Sequence, residues 1–161
     1  MEQLGKLVES TALHEWMLTT EWLWPWLEIT HFLGLSLLLG ALLVIDLRMA
    51  GFFRQININL THSLLPLVFV GFGLNMLTGV LFFFGDPMRY AINIGFQFKM
   101  GLIALAGLNA LWYWWKLHDE MSSWAPDINP PLVAKTIAIV SLGCWTGVLL
   151  LGRLIPYVGT G

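Results

Sequence analysis

Ionisable side chains stand inside stretches of this sequence that are otherwise apolar. Glu28 and His31 interrupt the first such stretch, Lys99 the third and Arg153 the fourth. Charged groups within a membrane are costly and are functional candidates by default. His31 and Lys99 each lie eight or nine residues past the start of their stretch, which is roughly 12–14 Å at 1.5 Å per residue. Glu28 is one turn above His31 and Arg153 is about one turn inside its stretch, so we expect all four to converge in one half of the membrane.

Two interpretations of these four residues differ in the chemistry they predict. In the first, Glu28 neutralises Lys99 or Arg153 and His31 hydrogen-bonds a neighbouring carbonyl, so that a polar cluster fixes the helix order. In the second, the neutral imidazole of His31 ligates a metal and the cations hold an anionic group. Haem b meets both demands, because its iron takes an axial histidine and its propionates need cations near a membrane surface. The second interpretation predicts a haem site of Glu28, His31, Lys99 and Arg153, with His31 on the iron.

The remaining histidines and the single cysteine give fewer indications of a metal or cofactor site. His62 and His118 fall at the opposite membrane side, where they are either solvated interfacial residues or a second site in which both ligate a metal. His14 is predicted to be a surface residue. Cys144 is the only cysteine, which excludes disulfides, a thiolate zinc site and the Cys-x-x-Cys-His attachment of a c-type haem.

The elements that must position these residues are membrane spans. The chain has 161 residues, of which 57% are hydrophobic and 11% charged, with a mean hydropathy of +0.73, so it is not a water-soluble domain. Each of four apolar stretches is about 20 residues or longer, enough to cross a bilayer as a helix. These predicted spans are residues 22–45, 64–84, 91–115 and 132–157. We therefore expect residues 1–161 to form a single membrane domain, an all-α four-helix bundle in contact with the lipid bilayer.

Residues 1–21 are predicted to form an amphipathic segment that lies at the membrane interface. Apolar side chains fall near one side of a helix over residues 4–17. Four glutamates and the lack of an apolar run before the first span argue against a signal peptide, so we expect that span to remain as an anchor. Two groups of tryptophans, one at each end of the spans, predict interfacial belts, and Trp124 is assigned to the second belt.

Small residues on the spans predict close helix contacts. Gly71, Asn75 and Gly79 follow each other at four-residue spacing, and Gly143 and Gly147 form a Gly-x-x-x-Gly pattern. Asn109 lies deep in the third span, where we expect it to form an interhelical hydrogen bond.

Loop charges predict the orientation. Lys6 and Arg89 lie on the side of the chain ends, whereas the other side carries four cations: Arg48, Arg54, Lys116 and Lys135. The positive-inside rule places the second group in the cytoplasm, so both termini are expected to be periplasmic in a bacterial inner membrane. The net charge of −2 and the lack of a basic run exclude nucleic acid as a partner.

Short motifs on the spans carry a family resemblance. They are Glu28-Ile-Thr-His31-Phe-Leu-Gly-Leu and Asp46-Leu-Arg48 on the first span, Leu77-Thr-Gly79 on the second, and Phe96-Gln-Phe-Lys99 on the third. The chain resembles an uncharacterised family of bacterial four-helix membrane proteins. More distantly, it is similar to the copper-resistance D-type proteins and to the four-helix protoporphyrinogen oxidases.

The resemblance implies roles for two residues. In the oxidase family the first-span histidine is a haem ligand and the third-span lysine is needed for activity, which places these roles on His31 and Lys99. That family carries a further histidine along the third span, where this chain has Asn109 and Trp114. The resemblance therefore implies a haem-b membrane protein rather than the oxidase activity itself.

The leading hypothesis is a haem-b protein for electron transfer in the membrane, exchanging electrons with quinol or with a periplasmic partner. The alternative is a non-catalytic accessory subunit, packed against a larger respiratory or photosynthetic complex or against copies of itself. A copper or small-solute transporter comes third, because the chain has no Met-x-x-Met pattern or Cys/His cluster suited to copper(I).

Overall fold

The structure is a computed structural model that describes residues 2–121, 124 and 128–158. Its helices are α1 (Glu2–Glu9), α2 (Ala12–Thr19), α3 (Leu23–Ala50), α4 (Ile58–His62), α5 (Leu65–Gly85), α6 (Pro87–Ile92), α7 (Ile94–Lys116), α8 (His118–Met121) and α9 (Leu132–Leu154). Four of them, α3, α5, α7 and α9, are long and apolar enough to cross a membrane. The described residues contain no strand, so the predicted all-α four-helix bundle is confirmed. Met1 and residues 159–161 of the predicted domain lie outside the described residues.

The four spans pack in the order α5, α3, α9, α7. Helix α3 packs along both α5 and α9, and α9 packs along α7, whereas α5 and α7 have little direct contact with each other. Helix α3 is the most buried span. Large apolar side chains remain exposed on the outer faces, where lipid covers them: Phe32, Leu33, Phe69, Phe98, Leu108, Leu111, Ile139 and Leu150.

The first span is longer than the sequence predicts. The span was predicted to end at residue 45, with Arg48 as a loop charge, but α3 continues to Ala50, and the Asp46 and Arg48 side chains are both buried. The Arg48 Nε donates to the Ile56 carbonyl at 2.9 Å, because the chain after the helix folds back over it. Gly51, with a left-handed φ of 99°, terminates the helix. A charged pair near a helix end was therefore wrongly interpreted as a solvated boundary.

The other spans also shift at their ends. The predicted third span begins at residue 91, but Ala91 belongs to α6, and α7 begins only at Ile94. Asn93 separates the two helices: its Oδ1 accepts from the Phe96 N–H at 3.0 Å and caps α7. Its Nδ2 donates to the Ile155 carbonyl, which ties the start of α7 to the end of α9. The fourth span ends at Leu154 rather than at residue 157.

The N-terminal segment forms two short helices rather than one. The break falls at Thr11, whose hydroxyl accepts from the His14 N–H at 3.3 Å and caps α2. Helix α1 packs against α6, and α2 packs against the end of α5. These helices cover one end of the bundle, which we call the near half.

The opposite end, which we call the far half, contains the main apolar core. Its buried members come from α3, α4, α8 and α9 and from the segments that follow α7 and α8: Ile45, Met49, Ile58, Leu117, Met121, Trp124, Ala134, Ile137 and Ala138. Trp124 is thus buried in this core rather than part of an interfacial belt. Helices α4 and α8 close the far half.

Glycines allow close contacts at some of the predicted positions. A Cβ on Gly71 would lie 2.6 Å from the Gly34 carbonyl oxygen, and one on Gly147 would lie 2.6 Å from Leu102 Cδ1. Gly79 and Gly143 face open space. The α3–α5 contact therefore depends on Gly71, which meets backbone atoms, whereas at Gly147 the Leu102 side chain could move aside.

Candidate functional site

His31 lies in the near half of α3 and is held by α5. Its Nδ1 is 2.7 Å from the Thr78 hydroxyl. That hydroxyl has one proton, which it donates to the Leu74 carbonyl at 2.7 Å one turn earlier. With its proton directed at that carbonyl, Thr78 accepts from His31, and in this tautomer the His31 ring carries its proton on Nδ1. The Nε2 atom is left with a free lone pair, which is the state a metal ligand needs.

Lys99 approaches His31 from α7. The Lys99 ammonium is close enough to act electrostatically on the His31 ring. It also lies against α9, with Nζ 3.4 Å from where a Cβ on Gly152 would stand. Among the described side chains, no hydrogen bond or ion pair of Lys99 is found. The predicted proximity of His31 and Lys99 is confirmed, and no described carboxylate forms an ion pair with Lys99.

Glu28 and Arg153 do not neutralise Lys99 or each other. Glu28 is exposed, and its Oε1 accepts from the Trp24 indole N–H at 3.1 Å. Arg153 is exposed near the end of α9. No ion pair between these residues exists in the described part of the chain. The polar cluster expected as one interpretation is therefore not formed, because Trp24 provides the partner of Glu28 within the same helix.

His14 is a second histidine in the near half whose ring is oriented by a hydrogen bond. Its Nδ1 is 2.7 Å from the Phe84 carbonyl at the end of α5, and a carbonyl can only accept. His14 thus also has a proton-free Nε2. The sequence predicted a plain surface residue, because the contact depends on α2 folding back onto α5, which helix periodicity does not reveal.

The far half contains a group of polar residues that the sequence analysis did not join. Asp46, Asn109, Tyr113 and Ser141 line one cavity of about 220 Å³ between the spans. The Asn109 Nδ2 donates to the Ile137 carbonyl at 3.0 Å, which confirms the predicted interhelical hydrogen bond. The depth arithmetic applied to His31 and Lys99 would have found this group, because Asp46 and Tyr113 lie three or four residues before the far ends of their helices.

His62 and His118 meet at the far end of the bundle. Their ring centroids are 5.4 Å apart, and the His118 ring also stacks on Trp114 at 3.9 Å. Burial, followed by the neighbouring His118, lowers the pKa of His62 from its ordinary value of 6.5. The described residues contain no group of three or more His, Cys, Asp or Glu side chains that could hold a metal. Among the described histidines, His62 Nε2 and His118 Nδ1 are buried without a hydrogen-bond partner.

Comparisons of this chain with protein-family models, with curated proteins and with solved structures found no match. The arrangement of the side chains is therefore what indicates function.

The near-half residues include one side chain of the type that ligates haem iron, a histidine. His31 presents a proton-free Nε2, oriented through Nδ1 as haem and metal ligands commonly are. Lys99 provides an unpaired cation beside it for a propionate. The Phe82 ring meets the His31 ring edge-on at 5.5 Å and restricts its rotation. His31 and Lys99 are thus the residues that could hold the predicted cofactor, which stays a prediction.

Proposed function

We propose that this chain is a membrane-embedded haem-b protein that takes part in electron transfer, with His31 as an axial ligand. The observation that carries the proposal is the hydrogen bond from His31 Nδ1 to Thr78, which leaves Nε2 free and fixes its direction. A histidine with a purely structural role would need only this one hydrogen bond at Nδ1 and no partner at Nε2. Bound haem b would supply one-electron transfer within the bilayer.

The cations serve the propionates in this proposal. Lys99 has no anionic partner among the described side chains, and leaving a charge unpaired within a membrane is costly. A propionate beside it would remove that cost. Arg153 is exposed near the end of α9 and is assigned to a second propionate nearer the surface. Glu28 acts indirectly by accepting from Trp24, whose ring packs on Phe82 at 5.1 Å.

Titration of the purified protein with haemin tests the assignment of His31. Wild-type protein should saturate at a fixed haem stoichiometry and show a sharp Soret band. His31→Ala should abolish the band or shift it strongly, since losing an axial ligand changes the spin state of the iron or empties the site. His118→Ala, in the far half, is the matched control and should bind as wild type. Equal haem binding by wild type and His31→Ala would contradict the proposal.

The alternative function is that of a non-catalytic accessory subunit. It is favoured by the exposed apolar side chains on the helices outside the spans, such as Leu7 and Trp16, which are 66% and 49% exposed. These faces fit lipid or a neighbouring subunit, including a second copy of the chain. A folded protein that binds no haem but co-purifies with a larger membrane complex would support this alternative.

The proposal includes a location in the inner membrane of a bacterium, with the near half towards the periplasm. Arg54, Lys116 and Lys135 still favour a cytoplasmic far side, although Arg48 is buried and no longer counts as a loop charge. Single cysteines at Gln3 and Gln55, both exposed, test this in a Cys144→Ala background. An impermeant thiol reagent should label Gln3→Cys but not Gln55→Cys in cells with a permeable outer membrane. The reverse pattern would invert the orientation.

A further inference from the structure

The cavity in the far half opens sideways towards lipid. All four spans contribute to its wall, and α5 and α7, which have little direct contact, flank its mouth. Phe69 on α5 and Gly107, Ala110 and Trp114 on α7 line the cavity and are exposed on the outer surface of the bundle. A molecule dissolved in the bilayer can therefore enter between these two helices without crossing water.

Three polar atoms on or beside this wall lack a hydrogen-bond partner among the described residues. They are the Asp46 Oδ2, the Asn109 Oδ1 and the Tyr113 hydroxyl, all fully buried. Asp46 and Asn109 are 4% and 7% exposed, so neither side chain has bulk water as a substitute. An unsatisfied buried polar group is destabilising, because it has lost its hydrogen bonds to water without gaining others. Several such groups on one cavity indicate a ligand with polar atoms at matching positions.

The chemistry of these groups suits a ring that exchanges hydroxyl for carbonyl oxygens. The Asn109 Oδ1 only accepts, and the Tyr113 hydroxyl both donates and accepts. The Asp46 carboxyl accepts when ionised and donates when protonated. The set can therefore bind the hydroxyls of a quinol and also the carbonyls of the corresponding quinone.

The dimensions suit one such head group. An engineered protein cavity of about 150 Å³ accommodates benzene. At about 220 Å³, this cavity has room for a substituted ring. The aromatic side chains of Phe72 and Trp145 line it and offer stacking surfaces. The lateral opening between α5 and α7 provides an exit for an apolar tail.

We propose that this cavity binds the head group of a lipid-soluble quinone or quinol, with polar contacts from Asp46, Asn109 and Tyr113 and with the tail leaving between α5 and α7. The choice of a quinone among hydroxylated ring compounds rests on the proposed electron-transfer function. The existence of a binding site does not rest on that function, because the cavity lies in the opposite half of the bundle from His31.

Binding of small quinone probes to the full-length protein in detergent tests this inference. Menadione and its reduced form, menadiol, are titrated by calorimetry beside 2-methylnaphthalene, which has the same ring system without oxygen atoms. Both oxygenated probes should bind at one site per chain and at least about tenfold more tightly than the hydrocarbon, since two hydrogen bonds of about 1 kcal/mol each correspond to more than tenfold. Equal affinity for all three probes would overturn the proposal, because the polar wall would then not be used.

Paired variants separate the cavity from the rest of the bundle. Gly107 lines the cavity and a Cβ on it meets nothing within 4 Å, so Gly107→Leu adds a side chain at the mouth and should abolish menadione binding. Gly101→Leu is the matched control, because Gly101 lies on the same helix, is equally open and does not line the cavity. Unchanged binding in Gly107→Leu would overturn the proposal.

Variants of the polar wall provide a second test that does not alter the size of the cavity. Tyr113→Phe removes one oxygen atom and should weaken menadione binding about 2–12-fold, the equivalent of one neutral hydrogen bond. Tyr157→Phe, on an exposed tyrosine beyond the end of α9, should bind as wild type. Identical affinities of the Tyr113→Phe protein and wild type would contradict the assigned contact.

The haem proposal and the quinone proposal fail in different ways. Haem absorption is recorded on the same Gly107→Leu sample. Loss of menadione binding with an unchanged haem spectrum supports a separate quinone site. Binding of menadione without haem would contradict the proposed function and still support the quinone site. Binding of haem without menadione would contradict only the quinone site.

Discussion

Thr78 determines the chemical state of His31. When its hydroxyl proton points to the Leu74 carbonyl, the hydroxyl oxygen accepts from the imidazole and Nε2 stays free of a proton. The sequence predicted the depth of His31 and its proximity to Lys99 from residue spacing along two antiparallel helices. It could not predict Thr78 as the partner, because that contact depends on which faces of α3 and α5 meet.

Removing the Thr78 hydroxyl tests its orienting role. Thr78→Val keeps the shape but offers no acceptor, so His31 should lose its fixed tautomer and bind haem about 10–100-fold more weakly, as is typical when a supporting partner of a ligand is removed. Haemin titration measures this loss. Thr136→Val, an exposed threonine that also donates to the carbonyl four residues earlier, should have no effect. Equal haem affinity of both variants would exclude Thr78 as a positioning residue.

The charge of Lys99 gives a second prediction. Lys99→Met keeps the length of the side chain but removes the cation, so it should weaken haem retention while the band shape of the remaining haem stays that of wild type. It should not destabilise the protein by stranding Glu28, because Glu28 already accepts from Trp24. Lys116→Met is the control, since that ammonium lies 4.4 Å over the exposed Trp115 ring at the far end. Undiminished haem retention in Lys99→Met would contradict the propionate contact.

At the scale of elements, the α3–α5 contact depends on the close approach of two glycines. A Cβ on Gly71 would come within 2.6 Å of backbone atoms of Gly34 and Leu38, which cannot move aside as a side chain would. Gly71→Ala should therefore lower the unfolding temperature, with a cost of about 1–3 kcal/mol. Gly73→Ala, two residues away in open space, should be neutral or slightly stabilising. Thermal unfolding in detergent, followed by circular dichroism, measures both variants. Similar melting temperatures would mean that α3 and α5 can move apart without loss of stability.

The junction of α4 and α8 should make stability depend on pH. The pKa of His62 is lowered by burial and by His118, whereas an unfolded histidine titrates near 6.5. As pH falls below about 6.5, the unfolded chain takes up the proton first, so the contribution of His62 is complete above that pH and is lost on acidification. The melting temperature should therefore fall between about pH 7.5 and about pH 5.5, and fall less in His62→Leu. An equal fall in both proteins would assign the pH dependence to other groups.

The helix boundaries show where sequence information ends. Apolar length predicted four spans, because each must cross the same hydrocarbon thickness. The end of α3 was misplaced because Asp46 and Arg48 look like interfacial charges until the following segment covers them. The start of α7 was misplaced because Asn93 acts as a cap, and asparagine is equally common in turns.

At the scale of the whole molecule, the order of packing decides what the bundle can bind. Hydropathy does not specify which spans are neighbours, so the loose contact between α5 and α7 and the cavity behind it could not be predicted. The resulting molecule has two polar regions in opposite halves: an imidazole and a cation near α1 and α2, and a carboxyl-lined cavity near α4 and α8. A haem at the first and a quinone at the second would place two redox groups within one bundle.

The most direct test of the central claim is a reduced-minus-oxidised absorption spectrum of the full-length protein, purified from membranes of cells that produce haem. We expect the sharp Soret and α bands of haem b, in constant ratio to protein, and their loss in His31→Ala protein that remains folded by circular dichroism. A folded wild-type protein that is colourless, or a His31→Ala protein with an unchanged spectrum, would contradict the claim that His31 ligates haem.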